Sequence, residues 1–238
     1  MFSLILLSAL PQATSQAPMM ALHVAVQRDF TFLESTRTTA VEYWISGERT
    51  HEKRGEQVRI VRGDLGLTWV IDPRKGAYYE QRRPVQAPAA APGAAPSEDL
   101  HTVGFDYEPE FIWEVKDTGE GQSLLGRDCR LTVATGVAEF AETTLRLWFC
   151  PSAGPKTERP LNDLVLGLAG FPFRDIGAFV TSQLARRPEA LLLRVEATTD
   201  PAISPLMVHK VQVGALQTAT PPPGIFELPE GLRKAPRE

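Results

Sequence analysis

Side chains that commonly mark chemistry are scarce in this chain: two cysteines and four histidines stand among 238 residues. None of the histidines shares the i, i+4 spacing of a helical metal site, and the cysteines lack partners at ligand spacing, so no metal and no cofactor is expected. The chain has no Gly-x-Ser-x-Gly elbow, no Gly-x-x-x-x-Gly-Lys loop and no Gly-x-Gly-x-x-Gly fingerprint. Those absences remove the commonest hydrolase, nucleotide and dinucleotide readings. No basic block occurs either: 25 basic and 29 acidic residues are spread along the chain for a net charge of -4. Nucleic acid is therefore excluded as a partner. Past the first residues no run approaches the ~20 apolar residues of a membrane span, so no transmembrane segment is expected in the mature chain.

What is present begins with an apolar stretch from Phe2 to Leu10, followed by Pro11 and the small residues Ala13, Ser15 and Ala17. The pattern predicts a signal peptide over 1–17 and hence a periplasmic or secreted protein. No Lys or Arg precedes the stretch, which leaves a buried N-terminal segment or a misplaced start codon as the competing reading. In an oxidising compartment Cys129 and Cys150 read as one disulfide, worth roughly 3 kcal/mol by loop closure. Two buried thiols are the alternative.

From Leu22 onward apolar residues alternate: Leu22, Val24, Val26, Phe30 and Phe32 share one face of a strand. Val41 to Ile45, Val58 with Ile60, and Leu67 to Ile71 continue the pattern, the last closing at Asp72-Pro73, where proline withdraws a ladder donor. Tyr78 and Tyr79 form a short extended piece. Residues 84–98 carry proline at 84, 88, 92 and 96 among alanines and predict an exposed, semi-rigid loop inside one domain spanning 18–238. Strands resume at Phe111 to Val115, Cys129 to Ala134 and Leu145 to Phe149. Helical spacing then appears at Leu161, Leu164, Val165 and Leu168, and again at Ile176, Phe179, Val180 and Leu184 behind an Asp175 cap. Leu191 to Ala197 and Met207 to Val213 read as the last full strands, with Ile225 to Leu228 as an edge segment. The fold class is mainly β (α+β): an antiparallel sheet with two short amphipathic helices, each laying one apolar stripe on it.

Three stretches carry a family resemblance: Thr118-Gly119-Glu120 through Leu125-Gly126-Arg127-Asp128-Cys129, Leu147-Trp148-Phe149-Cys150-Pro151, and Gly224-Ile225-Phe226-Glu227-Leu228-Pro229-Glu230-Gly231. Together they resemble the periplasmic LolA-like superfamily, nearest to its uncharacterised DUF4412-type domains. Trp69-Val70-Ile71-Asp72-Pro73 followed by Tyr78-Tyr79 is similar as well. The resemblance implies a strongly curved antiparallel sheet or incomplete barrel with the two short helices on its concave face, and its better-known members carry or sense acyl chains of lipoproteins. It supplies no catalytic set.

Asp117-Thr118-Gly119 matches the tripeptide of aspartic proteases, whose chemistry needs two carboxylates sharing a proton. It occurs once and runs into Gly-Glu-Gly, so a turn between strands is expected. His23, His51, His101 and His209 take surface or strand-face roles, and the mixed charges from Glu48 to Glu56 predict a solvated strand pair or turn. The ligand-binding candidates are Trp69, Trp113, Trp148, Leu164, Leu168 and Phe179, aromatic and aliphatic groups able to line an apolar concavity. The same residues also serve as ordinary core. The expected protein is an exported binding module without enzymatic activity, its partners an acyl chain, lipid or lipoprotein, or a protein of the cell envelope. The alternative is an interaction or structural domain with a filled core.

Overall fold

The computed structural model describes residues 19–82, 109–202 and 205–236. The expected signal peptide, the Pro/Ala loop and His101 lie outside them. β1 (Ala21–Phe32) pairs antiparallel with β2 (Ser35–Ser46), Val24 opposite Tyr43 and Val26 opposite Val41. The two turn residues, Leu33 and Glu34, both have positive φ (50° and 62°). A two-residue hairpin demands that conformation, and here no glycine or asparagine announces it.

The meander continues through β3 (Arg49–Arg54), β4 (Gln57–Arg62), β5 (Leu67–Asp72) and β6 (Ala77–Arg82). The charged segment is thus a strand, β3, paired on both sides. Asp72 closes β5 as expected, its carboxylate accepting from the backbone N–H of Arg74 at 3.0 Å. A second meander comprises β7 (Ile112–Leu124), β8 (Arg127–Ala138), β9 (Ala141–Pro151), β10 (Ala190–Pro201) and β11 (Met207–Ala219). Helices α1 (Pro155–Ala169) and α2 (Arg174–Ala185) connect β9 to β10.

β1 pairs with β11 from Ala21 opposite Ala219 to Phe32 opposite Met207, so both meanders join in one open, curved twelve-stranded sheet. Both helices lie on one side of it, called the inner side below. At one edge β12 (Arg233–Lys234) runs parallel to β6. The other edge, β7, is blunted by Glu114, Lys116 and Glu120 and by an irregularity between Asp117 and Gly121, devices that discourage pairing with another chain.

Three expectations are corrected. Asp117-Thr118-Gly119 is not a turn between strands but part of this irregularity within β7, with Gly119 at φ 73°. The β7–β8 turn falls instead at Leu125-Gly126, where both residues have positive φ. Ile225 to Leu228 forms turns rather than an edge strand: the Ile225 N–H donates to Pro222 O (3.2 Å) and the Glu227 N–H to Gly224 O (2.9 Å), and Arg62 donates to both carboxylate oxygens of Glu227 at 2.6 and 2.7 Å. Asp175 is not the cap of α2, a position that Phe173 holds without a side-chain bond; its carboxylate reaches back to β7.

Cross-strand partners share a face, and following them shows that the buried face reverses. The inner row runs Val24, Tyr43, Glu52, Arg59, Val70, Tyr79; the outer row runs His23, Trp44, His51, Ile60, Trp69, Glu80. On β1 and β2 the inner residues join the main core with α1, α2 and β8–β11. On β4 and β5 the outer residues Ile60, Trp69 and Ile71 are buried, packed against Tyr78, Leu228 and Leu232. The segment after β11 therefore crosses to the outer side and covers a second, smaller core.

Cys129 and Cys150 form a disulfide between β8 and β9. We expect no thiol to titrate in the denatured, unreduced chain, and we expect the Cys129→Ser, Cys150→Ser protein to lose roughly 3 kcal/mol in urea unfolding. A free thiol, or equal midpoints for the two proteins, would contradict the assignment.

Candidate binding face

The helices are held to the sheet by polar anchors set in an apolar layer, three of them at Glu158, Asn162 and Asp175. Glu158, in the first turn of α1, is 7% exposed. It accepts from both terminal nitrogens of Arg127 (2.6 and 3.0 Å), from the Ser152 hydroxyl (2.7 Å) and from the Ala153 backbone (3.0 Å). Burial alone raises its carboxyl, but the bonds from Arg127 and Ser152 outweigh that and hold it below the usual range. One turn on, the Asn162 amide donates to Ala190 O (2.9 Å) and accepts from Leu192 N (2.8 Å), at the bulge of β10. Asp175 ties α2 to β7, accepting from Trp113 Nε1 at 3.1 Å and Phe111 N at 3.2 Å.

Around the Asp175 anchor the Trp113 ring stacks on Phe179 (centroids 4.1 Å apart), and Phe111 tilts against Phe173. Opposite Trp113 on β8 stands Gly136, where an added Cβ would fall 2.7 Å from the indole. A side chain there would push the ring off its seat, so glycine is what admits Trp113 under α2.

The inner face of β1–β4 beyond the helices has a different character. Arg28 continues the inner row of β1 between Val26 and Phe30, and Arg54 stands on β3 opposite Val41 of β2. Arg37 faces Phe30, and Arg59 faces Glu52. Glu52 pairs with Arg54 at 3.3 Å and with Arg59 at 3.8 Å. No ion pair reaches Arg28 or Arg37 among the described residues. The Nε atoms of Arg28 and Arg54 are buried without a hydrogen-bond partner. Burial, then the charges of Arg54 and Arg37, lower the Arg28 guanidinium from its ordinary value. Burial raises the adjacent Tyr43 hydroxyl, and Glu52 adds to that.

His209 completes this flank. It is 2% exposed, lies against Phe30 and has Nδ1 3.1 Å from Ala169 O at the end of α1. Burial and the charge of Arg28 push it from 6.5 down to about 4. The neutral ring donates from Nδ1 to Ala169 and leaves Nε2 an acceptor without a partner.

Five of the six candidate ligand-binding residues fall in one core, and Trp69 does not. Trp113 and Phe179 stack, and Leu164 and Leu168 belong to the same core. Trp148 is buried there too, beneath the Arg194 guanidinium at 4.4 Å. Trp69 lies on the outer side, in the second core, donating to Glu80 at 3.3 Å. Asp117 accepts from the Thr132 hydroxyl (2.7 Å) and pairs with Arg187 (3.3 Å). The sequence reading missed Arg28, Arg54, Glu158 and His209. One signal was available for the first: a charged residue at an apolar position of an alternating row.

Two hollows open on the sheet, the second of them on its outer side. One, of about 270 Å³, opens where Pro160 of α1 meets Leu22 of β1 and Ile45 of β2. The other, of about 150 Å³, lies between Arg49 and the segment 220–227. No group of three or more His, Cys, Asp or Glu able to hold a metal occurs among the described residues.

No protein-family model matches the chain, and no curated protein matches it by sequence. In structure it is similar to a LolA superfamily protein from Nitrosomonas europaea, at 11% identity over 90% of this chain and 92% of that one, with a TM-score of 0.31. An outer membrane lipoprotein-sorting protein domain from Vibrio parahaemolyticus gives 7% identity, 87% and 89% coverage and a TM-score of 0.29. PNGF-II gives 11% identity and a TM-score of 0.29; the chain spans only 30% of its length, with 87% of this chain covered. Likenesses this slight assign neither a family nor a function.

The sign of the His209 effect follows from its low pKa. Between pH 6.5 and about 4 the unfolded chain takes up a proton that the folded chain refuses. Stability falls with pH through that window, by at most about 3 kcal/mol. We expect His209→Gln to lose less Tm than the native protein between pH 7 and pH 5. Equal losses would contradict the buried neutral state.

Proposed function

We propose that the protein is an exported, non-enzymatic binding module that takes up an acyl chain, free or attached to a lipid-modified partner, between its helices and the inner face of the sheet. The observation that carries this reading is the construction of that layer. Two helices that barely touch each other cover an apolar face, their polar bonds to it concentrated at Glu158, Asn162 and Asp175, and a hollow already opens at one end beside Pro160. Such a layer can part along its apolar surface while its anchors hold. Burying a flexible chain there gains about 25 cal/mol per Å² without many polar contacts. The disulfide supports an oxidising compartment, periplasmic or extracellular, and the 18–238 stretch is read as one domain because strands on both sides of 84–98 share one sheet. Of the six candidates, Trp113, Phe179, Leu164 and Leu168 are proposed to line the parted layer; Trp148 packs in the same core but on the outer face of β9, beneath Arg194, and Trp69 in the second core.

A second reading is favoured by one observation. Ligand pockets are usually about 300–1,000 Å³, and neither hollow reaches that size. On that reading the core is filled by its own side chains and an envelope protein meets an exposed apolar patch such as Ile112 (83% exposed) with its cross-strand partner Val137.

Native mass spectrometry of gently purified protein separates the two. The first reading expects a lipid-sized added mass and uptake of a fluorescent fatty acid. The bare mass with no uptake would favour the second.

A further inference from the structure

We infer that Arg28 and Arg54 form an anion-binding site on the inner face, and that it receives the acidic headgroup, a carboxylate or phosphate, of the acyl ligand. The inference deepens the proposed acyl-binding function and rests on it for the ligand's tail. The first support is charge. Arg28, Arg37, Arg54 and Arg59 share one face across β1–β4, and Glu52 is the carboxylate that pairs with any of them among the described residues. Arg28 and Arg54 stand two strands apart with Thr39 and Val41 of β2 between them. An anion of two or three oxygens suits that gap, because guanidinium forks bind such groups through paired donors.

Hydrogen bonding adds a second support. Buried polar atoms are almost always satisfied in native proteins, yet Nε of Arg28 and Nε of Arg54 are both buried and both unpartnered. Two such donors on neighbouring cations on one face call for a shared acceptor. The Tyr43 hydroxyl oxygen accepts from the Arg54 guanidinium and so holds it in place on this face.

Position is the third. Arg28 lies six residues along β1 from Leu22, which lines the 270 Å³ hollow. That span is about 20 Å, a little more than the ~15 Å that one leaflet of acyl chains occupies. A chain whose headgroup sits at Arg28 would therefore lie along the inner rows of β1 and β2, under α1, and end at the hollow.

The test titrates the full chain with palmitate, with hexadecanol and with inorganic phosphate, in the native protein and in Arg28→Met, Arg54→Met. We expect palmitate to bind at least about tenfold more tightly than hexadecanol, and the double variant to lose that preference while keeping its hexadecanol affinity. Equal affinity of the native protein for acid and alcohol would overturn the anion site and leave the acyl-binding function standing. Binding of phosphate that depends on Arg28, without uptake of either amphiphile, would keep the anion site and overturn the acyl reading. Binding of none of the three would overturn both. Arg28→Met alone is expected to raise the Tm of the ligand-free protein, since it removes a cation that burial and its neighbours disfavour. A lower Tm would mean that Arg28 is already partnered, and the site would fall.

Discussion

The pairing of β1 with β11 is the contact on which the rest of the molecule depends. Each meander alone would expose a bare strand edge, and such edges recruit other chains. Joined along the full length of both strands, they make one continuous inner surface running from Trp113 on β7 to Tyr79 on β6. The same pairing sets Phe30 and Arg28 against His209 and Val211, which brings the cationic flank of one meander up to the helix-covered core of the other.

The reversal of the buried face between β2 and β4 gives this surface its two chemistries. With the segment after β11 covering the outer side of β4 and β5, their inner side is free of the duty of forming core. Glu52, Arg54 and Arg59 can occupy inner positions of β3 and β4 without the penalty of full burial. A sheet covered by helices along its whole inner face would have no room for them. Arg62, by binding Glu227, ties the C-terminal segment to the outer side of the sheet.

Much of this was legible in the sequence, because side-chain alternation reports directly on a half-buried strand. The rows at Leu22–Val26, Val41–Ile45, Leu67–Ile71 and Leu145–Phe149, and the helical spacing in α1 and α2, all carried that signal, and the LolA-like motifs implied an open curved sheet with helices inside it. Face reversal was not legible. An alternating row reads the same whichever side it buries, and β3, with Arg, Thr, His, Glu and Lys, has no apolar residue to mark a side. The Leu33-Glu34 turn carried no turn residue. Ile225 to Leu228 had the look of a strand, but local bonds from Ile225 to Pro222 and from Glu227 to Gly224 fold it into turns. The cationic flank was hidden because its members come from β1, β2, β3 and β4, each harmless alone; Arg28 was the exception, a charge standing in an apolar row.

Native-state hydrogen exchange read segment by segment tests the central claim most directly, that the β1–β11 ladder welds two meanders into one cooperative sheet. The account predicts that amides of β1, β2, β10 and β11 share the slowest exchange and the same opening free energy. Exchange of β1 and β2 through an independent, lower-energy opening, with β9–β11 still protected, would contradict it.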